Sequence, residues 1–307
     1  MKLVVNKEKT LIEFKTAILE DIHVQLGCSL NMDQMLVSAG SKIISYFIAQ
    51  AFLSNGDSIL LHEPSWVSYR EHARLQGANT IFLKYDQPIC RLVDLIEEPD
   101  CRVKIVYLNN PNNPRGYVYS ESELRELCQI LHRRNIILAV DESYSEYTSD
   151  GFFSGINLIN DFDNVIVFNS ISKNFGLSGW RIGYAFSSRE IVNVLNKFNQ
   201  HLVTCAPTNL QLMLASNLDS LKNQIEPQIL LLIEKRKKVC SLLDDLNLPY
   251  LDGSSTFYIF VDLSRYLADV SDFVADLLIN EGVSVISGRA YGESTSQFVR
   301  ISFGVEP

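Results

Sequence analysis

The chain has 307 residues, of which 47% are hydrophobic and 21% are charged, and its formal net charge at pH 7 is −9. A chain of this size can bury a large core, and its length suits one large domain with a smaller second one. The chain is acidic and no Lys/Arg block in it forms an electrostatic footprint, which argues against nucleic acid or an anionic membrane as a partner.

Short apolar runs of high β propensity alternate with longer segments of helical period. Strands are predicted near residues 34–38, 58–62, 79–83, 103–108, 135–140, 164–168 and 182–186, and helices near 40–54, 66–76, 120–134 and 189–200. Runs such as KIVYL and IILAV are apolar on both faces, which is typical of strands buried between two helical layers. We therefore predict a three-layer α/β/α domain with a mainly parallel seven-stranded sheet.

The last third of the chain changes its pattern. Residues 207–245 are largely helical and carry the basic cluster EKRKK, which is expected to be a solvated helix face. A smaller α+β C-terminal domain is predicted from strands near 256–261, 283–286 and 297–303 around a helix near 271–281. The predicted domains are a large one at 20–237 and a small one at 1–19 together with 238–307.

Polar residues follow the ends of the predicted strands. They are Gly40 to Lys42 after the first strand, Glu63 to Trp66 after the second, Asn109 to Pro114 after the fourth, Asp141 to Tyr144 after the fifth and Ser170 to Lys173 after the sixth. Ligands of open α/β sheets bind beyond the carboxyl ends of the strands. We therefore expect these segments to converge on one crevice.

Two common nucleotide motifs do not fit this crevice. A Walker A loop would need a glycine where Met35 stands, five residues before Gly40, and Ser or Thr where Ile43 follows Lys42. A dinucleotide fingerprint needs G-x-G-x-x-G, whereas the glycines of NFGLSGWRIG are spaced G-x-x-G-x-x-x-G. A nucleotide ligand is therefore not predicted.

The same residues meet the requirements of pyridoxal 5'-phosphate. That cofactor needs a lysine anchor, a carboxylate at its pyridine nitrogen, contacts to its phenolic oxygen, a stacking ring and a phosphate cup. The candidates, in that order, are Lys173, Asp141, Tyr144 with Asn113, Trp66, and a cup of Ser41, Lys42, Ser170, Ser172 and Arg181. Singly, each is common as a cap, turn, core or exposed residue, and only their joint occurrence at strand ends favours a cofactor site.

Five segments resemble motifs of the fold-type I pyridoxal-phosphate enzymes, in particular the class I/II aminotransferases of the aspartate and histidinol-phosphate type. SISKNFGLSGWRIGY is similar to the lysine segment of that family and NPNNPRG to its N-P-x-N-P-T-G. DESY, SAGSK and FVRISFG resemble its D-E-x-Y, its phosphate-cup turn and its C-terminal R-[IL]-S-[FY]. The segments stand in the family's order and cover residues 11 to 304, although the SAGSK turn alone is weakly specific.

The resemblance implies an aminotransferase that moves an amino group between an L-amino acid and a 2-oxo acid through an aldimine at Lys173. Asp141 and Tyr144 would be catalytic beside this lysine, and Gly40 would belong to the phosphate turn. Arg300 would hold the substrate α-carboxylate, for which its planar fork is suited, and Asn113 would also contact substrate. The family also implies a homodimer.

The chain departs from the family pattern at four places. Few residues precede LIEFKTAIL and the sequence stops at GVEP, so we expect a chain shortened at both ends, with consequences for the lid and the dimer-completed part of the site. Arg115 replaces the threonine of N-P-x-N-P-T-G, and SGRAYG, with Arg289, replaces P-G-x-x-F-G. Both arginines could serve an anionic substrate side chain or lie exposed on loops.

The reaction type keeps its alternatives at the level of sequence. A decarboxylase, a β-lyase or a non-catalytic homologue could use the same cofactor residues, because the pocket decides which substrate bond is broken. The sequence does not identify the amino donor or acceptor.

Cysteine and histidine usage predicts no metal and a cytoplasmic location. The six cysteines contain no C-x-x-C pair, and the five histidines never fall at zinc-ligand spacing. Neither a signal peptide nor an apolar run long enough to span a bilayer is recognised. No membrane partner is therefore expected.

Overall fold

The computed structural model, which describes residues 12–98, 101–148 and 151–304, is built around a seven-stranded sheet. Its strands are β1 (Met35–Ser38), β2 (Ser58–His62), β3 (Asn79–Leu83), β4 (Val103–Asn109), β5 (Ile137–Asp141), β6 (Val165–Ser170) and β7 (Gly183–Ser187). Their spatial order is β1-β7-β6-β5-β4-β2-β3. Strand β7 runs antiparallel to both neighbours, and the other neighbouring pairs are parallel. The predicted mainly parallel sheet is confirmed.

Helices cover both faces of this sheet and complete the predicted three layers. They are α1 (Ile12–Leu26), α2 (Ser41–Phe52), α3 (Val67–Leu75), α4 (Leu92–Ile96), α5 (Glu121–Arg133), α6 (Ile171–Asn174) and α7 (Arg189–Leu202). One apolar cluster packs α2, α3 and α7 on one face of the sheet, and another packs α1, α4 and α5 on the other. Burial on both faces explains why the strand sequences are apolar throughout.

A long helix leads from the large sheet to a second, smaller one. It is α8 (Thr208–Asp245), followed by β8 (Tyr258–Asp262), α9 (Ser271–Glu281), β9 (Ile286–Ser287) and β10 (Phe298–Ser302). The small sheet is antiparallel in the order β8-β10-β9, as expected for an α+β unit. Among the described helices, α8 included, none is both long and apolar enough to cross a bilayer.

The division into two domains stays a prediction, and its residues 1–11 and 305–307 lie outside the described part of the chain. Helix α8 crosses the proposed boundary at residue 237 without a break. Helix α1 was not among the predicted elements. It buries Phe14 and Ile18 in the cluster beneath the large sheet, although residues 1–19 are grouped with the small domain in the prediction.

One residue of the basic cluster EKRKK is buried, so the expectation of a solvated face is wrong at this position. Arg236 is only 3% exposed, whereas the next residue, Lys237, is exposed. The guanidinium of Arg236 donates hydrogen bonds to the carbonyls of Gly253 (2.8 Å), Arg115 (3.3 Å) and Tyr258. Arg236 therefore joins α8 to loops of both sheets.

We expect Arg236→Met to lower the free energy of unfolding by about 2–4 kcal/mol, because three carbonyls lose their buried donor. Chemical denaturation followed by circular dichroism measures the change. Lys237→Met is the matched control, and its effect should stay within about 0.5 kcal/mol because the side chain is exposed. Equal stability of the two variants would contradict a structural role for Arg236.

Candidate active site

The carboxyl ends of the central strands meet at one cavity. Strands β4, β5 and β6 end at Asn109, Asp141 and Ser170, and parallel neighbours present their ends at the same edge of a sheet. The cavity has a volume of about 440 Å³ and extends to the small sheet. It is lined by Ser41, Lys42, Trp66, Asn109, Asn113, Asp141, Ser143, Tyr144, Ser170, Ser172, Lys173, Ser178, Arg181, Tyr258 and Arg300. Every predicted site residue except Gly40 is in this lining.

Gly40 lies behind the lining, against the guanidinium of Arg181. Its φ is +98°, which side chains rarely adopt, and an added Cβ would overlap Arg181 Nη2. The guanidinium is held by the carbonyls of Ser178 (2.8 Å from Nη1) and Ala39 (3.2 Å from Nη2). Arg181 itself has a left-handed backbone with φ 52°, which is uncommon outside glycine. The missing side chain at Gly40 thus leaves room for a fixed cation at this end of the cavity.

Hydroxyl groups and a helix start surround the same end. Ser143 Oγ donates to Ser41 Oγ over 3.2 Å, and Ser170 Oγ accepts the backbone N–H of Ser172 over 3.1 Å. Helix α2 begins at Ser41, where free N–H groups and the positive end of the helix dipole favour an anion. Together with Arg181, these groups have the composition of a phosphate site.

Asp141 is the buried acid of the cavity. Its Oδ2 accepts a hydrogen bond from the Tyr69 hydroxyl (2.7 Å), and its Oδ1 accepts one from the Ser143 backbone N–H (3.0 Å). Burial raises the pKa of Asp141, and the hydrogen bonds from Ser143 and Tyr69 oppose that rise. Within the described part of the chain, Asp141 takes part in no salt bridge. A carboxylate in this environment is suited to a cationic ligand group.

Lys173 lies in the short helix α6 that follows β6, and its amine faces the cavity. The Nζ atom is 5.8 Å from the centroid of the Phe257 ring. The backbone around the lysine is held from outside the cavity, because the Tyr147 hydroxyl donates to the Lys173 carbonyl (2.9 Å). Asn174 Nδ2 donates to Asn169 Oδ1 (2.9 Å) and closes the same turn. The turn is therefore fixed while the amine projects into the cavity.

A chain of hydrogen bonds links the two sheets across the cavity. Asn113 donates from Nδ2 to the Tyr144 hydroxyl (3.1 Å) and accepts at Oδ1 from Arg300 Nη1 (3.2 Å). The Arg300 guanidinium carbon lies 4.2 Å from the centroid of the Tyr258 ring. Among the described residues, nothing accepts a hydrogen bond from the buried Nε of Arg300. Arg300 is therefore placed and oriented by neutral groups, without a carboxylate partner.

Tyr144 remains a hydrogen-bond donor at ordinary pH. Burial, with smaller contributions from Tyr258 and Asp141, raises its pKa well above the usual value, and Arg300 opposes the rise. The protonated phenol can therefore donate to a ligand oxygen in the cavity.

Trp66 forms one wall between β2 and α3. Its ring meets the Tyr69 ring edge-on, with 5.1 Å between centroids, and Lys42 Nζ lies 5.2 Å from the Trp66 ring centroid. The sequence prediction used Lys42 through its backbone amide, whereas the structure brings its ammonium group to the cavity as well.

Sequence reasoning missed several residues of the site, namely Tyr69, Asn109, Ser143, Ser178 and Tyr258. A signal existed for Tyr69, which stands three residues after Trp66, at the spacing of one helix face. Ser143 lies inside DESY, and Asn109 begins NNPNNPRG. No local signal marks Tyr258, which reaches the cavity only through the packing of the small sheet.

Arg115 and Arg289 do not line the cavity. Arg115 Nε donates to the Asp252 carbonyl over 2.9 Å, and its guanidinium carbon lies 4.9 Å from the centroid of the Tyr117 ring. Arg289 is exposed and pairs with Asp269 over 3.3 Å. Arg289 thus lies exposed on a loop and Arg115 lies half-buried on another, and a contact of either with substrate stays a prediction.

The acid after Asp141 points away from the cavity. Glu142 accepts hydrogen bonds from the Ser154 hydroxyl and the Gly155 backbone N–H, both over 2.7 Å. Burial raises its pKa to about 8, against the effect of these two hydrogen bonds. Successive residues of an extended chain face opposite sides. Asp141 therefore faces the cavity, and Glu142 faces the protein interior.

Comparison with known proteins finds one family throughout. The family model described as aminotransferase class I and II matches residues 7–307. A "Probable aspartate/prephenate aminotransferase" of Aquifex aeolicus is 29% identical over 95% of this chain and 77% of its own length. An LL-diaminopimelate aminotransferase of Dehalococcoides mccartyi is 27% identical over 95% of this chain and 76% of its own.

Solved structures agree with this result. The aspartate aminotransferase of Thermotoga maritima superposes with a TM-score of 0.86 at 26% identity, covering 97% of this chain and 78% of that one. An aromatic aminotransferase of Pyrococcus horikoshii gives a TM-score of 0.90 at 25% identity, covering 97% and 82%.

The raised pKa of Glu142 predicts a pH-dependent stability. A folded-state pKa above the unfolded value means that stability is present at low pH and is lost as the pH rises through about 8. Glu142→Gln keeps the shape of the protonated acid and cannot ionise. Between pH 6 and pH 9, we expect the wild type to lose on the order of 2 kcal/mol relative to this variant. Denaturation at several pH values measures this difference. The same change in the free energy of unfolding with pH in both proteins would contradict the proposed ionisation of Glu142.

Proposed function

The chain belongs to the class I and II aminotransferases and thus moves an amino group between an amino acid and a 2-oxo acid, and we propose that it does so with pyridoxal 5'-phosphate held in this cavity. One observation carries the proposal. An amine (Lys173), a buried acid (Asp141) and an anion-binding cation (Arg181) line the same 440 Å³ of space. A cofactor with an aldehyde, a basic ring nitrogen and a phosphate requires those three groups together.

The residues fit the cofactor at both of its ends. The buried Asp141 carboxylate lacks a cationic partner in the described ion pairs, and a protonated ring nitrogen would supply one. At the other end, the amides of α2, the serine hydroxyls and Arg181 would hold the phosphate. A Cβ at Gly40 would overlap the Arg181 guanidinium and so displace this cation. Trp66 offers its face to the ring, and Tyr144 and Asn113 offer donors to the phenolic oxygen.

The chemistry of the bound cofactor is the uptake of an amino group at its aldehyde carbon and the delocalisation of electrons into its ring. Lys173 Nζ would act as the general base that removes the proton from the substrate Cα. Asp141 would keep a proton on the ring nitrogen, and the Tyr144 hydroxyl would donate to the neighbouring oxygen. Arg300 would orient the substrate through its α-carboxylate.

Two further proposals concern the oligomeric state and the location of the protein. We propose a homodimer, which is supported by exposed apolar residues around the α7–α8 connection, at Leu202, Leu212 and Met213. A cytoplasmic location is supported by the six cysteines, which are all free in the described structure.

Lys173→Ala should abolish covalent attachment of pyridoxal phosphate. The protein is incubated with the cofactor and reduced with borohydride, and the adduct is located by mass spectrometry. We expect an adduct at Lys173 in the wild type and none in the variant, with the exposed Lys197→Ala as a control that retains it. A normal adduct in Lys173→Ala would refute the assignment.

Arg300→Ala should weaken amino-acid binding about 100-fold, which corresponds to roughly 2.7 kcal/mol for a bidentate charged contact. Spectrophotometric titration of the cofactor-loaded enzyme with amino acids measures this affinity, and cofactor retention should not change. Arg265→Ala is the matched control, because Arg265 is exposed and lies outside the cavity lining. Unchanged affinity in Arg300→Ala would remove this residue from the site.

The same titration tests the reaction type. Conversion of the bound cofactor together with release of a 2-oxo acid supports transamination. Release of carbon dioxide or ammonia instead would contradict it and indicate a decarboxylase or a lyase.

A further inference from the structure

Glu63 is a buried acid whose carboxylate accepts hydrogen bonds from a loop of the small sheet. It follows β2, three residues before Trp66, and is 2% exposed. The Ser294 hydroxyl and the backbone N–H of Glu293 donate to its carboxylate, and the Ser294 N–H lies 3.3 Å from both carboxylate oxygens. Both donor residues belong to the loop between β9 and β10, residues 288–297, called here the β9–β10 loop.

The β9–β10 loop is shaped around this carboxylate. At Gly292, an added Cβ would overlap the Glu63 side chain. A second contact fastens the same segments, because the Ser65 backbone N–H donates to the Tyr291 carbonyl over 2.8 Å. Within the loop, the Thr295 hydroxyl donates to the Gly288 carbonyl over 2.8 Å. The loop is therefore stabilised by its own hydrogen bond and is attached to the large sheet through Glu63 and Ser65.

The β9–β10 loop continues into the strand that carries the proposed substrate clamp. Strand β10 begins at Phe298 and contains Arg300. The loop also supplies Tyr291, whose ring centroid lies 5.3 Å from the Arg300 guanidinium carbon. A shift of the loop would therefore change how Arg300 faces the wall formed by Trp66.

We propose that Glu63 is a positioning residue for substrate binding, which fixes Arg300 and Tyr291 relative to Trp66 by holding the β9–β10 loop. A buried carboxylate needs its charge-assisted hydrogen bonds, so the Glu63 side chain favours the arrangement in which the loop is docked. This role rests on the proposed function of Arg300.

The role predicts a loss in substrate affinity without a loss in cofactor binding. Lys173, Asp141 and Arg181 belong to the large sheet and its connections, so the anchoring amine, the ring-nitrogen acid and the phosphate cation do not depend on the β9–β10 loop. Arg300 is positioned through the loop, so substrate contacts do.

Steady-state kinetics of the cofactor-loaded enzyme test the proposal with Glu63→Gln and Ser294→Ala. Glutamine keeps the shape of the side chain, but its NH2 group would face the N–H donors of the loop. We therefore expect Glu63→Gln to raise KM for the amino acid and the 2-oxo acid about tenfold. The value of kcat should stay within about twofold, since the reacting groups are untouched. Ser294→Ala should raise KM less, and the double variant no more than Glu63→Gln alone.

Glu71→Gln is the control, because Glu71 is an exposed acid on α3 near the same wall. It should leave both KM and kcat at the wild-type values. An unchanged KM in Glu63→Gln would overturn the proposal, as would a parallel fall of kcat and cofactor retention, which would indicate general destabilisation.

Hydrogen exchange separates this inference from the proposed function. The amides of Glu293 and Ser294 in the cofactor-loaded protein should exchange at least about tenfold faster in Glu63→Gln than in the wild type. Equal rates would overturn the proposal even if the wild type transaminates. Failure of the wild type to react with any amino acid would refute the proposed function, and with it the substrate-binding role of Glu63.

Discussion

The buried carboxylate of Asp141 is the constraint on which the rest of the site depends. An ionised acid away from water is costly unless donors surround it, and here Tyr69 and Ser143 provide them. Tyr69 belongs to α3 and stacks on Tyr107 of β4, with 4.7 Å between ring centroids. The environment of the acid is therefore set by core packing between helix and sheet, so the core and the site cannot be changed independently.

Contacts between the two sheets determine the other side of the cavity. Asn113 and Arg300 meet across it, Arg236 binds carbonyls of both parts, and Glu63 holds the β9–β10 loop. These contacts are hydrogen bonds between specific polar groups, and Arg236 and Glu63 are buried, so a partner left unsatisfied there is costly. The large sheet is held by two extensive apolar clusters. The proposed cofactor contacts thus lie on the more firmly packed part, and the proposed substrate clamp lies where polar contacts set the geometry.

Aminotransferases named for different substrates share this fold. This is consistent with cofactor contacts and substrate contacts that lie on different parts of the structure. Relatives named for aspartate, prephenate and diaminopimelate match nearly the whole chain. In this chain Arg115 and Arg289 make loop contacts outside the cavity lining.

The sequence by itself determined the strands of the large sheet, its longer helices other than α1, the three layers and the segments that meet at the cavity. Apolar periodicity, strand-end motifs and the lysine segment are local signals, readable over a few residues. Only the tertiary structure decided the burial of Arg236 within a basic cluster, the approach of Tyr258 and the docking of Glu63 against Ser294. These depend on partners that are 17 or more residues apart in the chain, and no local pattern encodes which distant carbonyl or hydroxyl a buried side chain will meet.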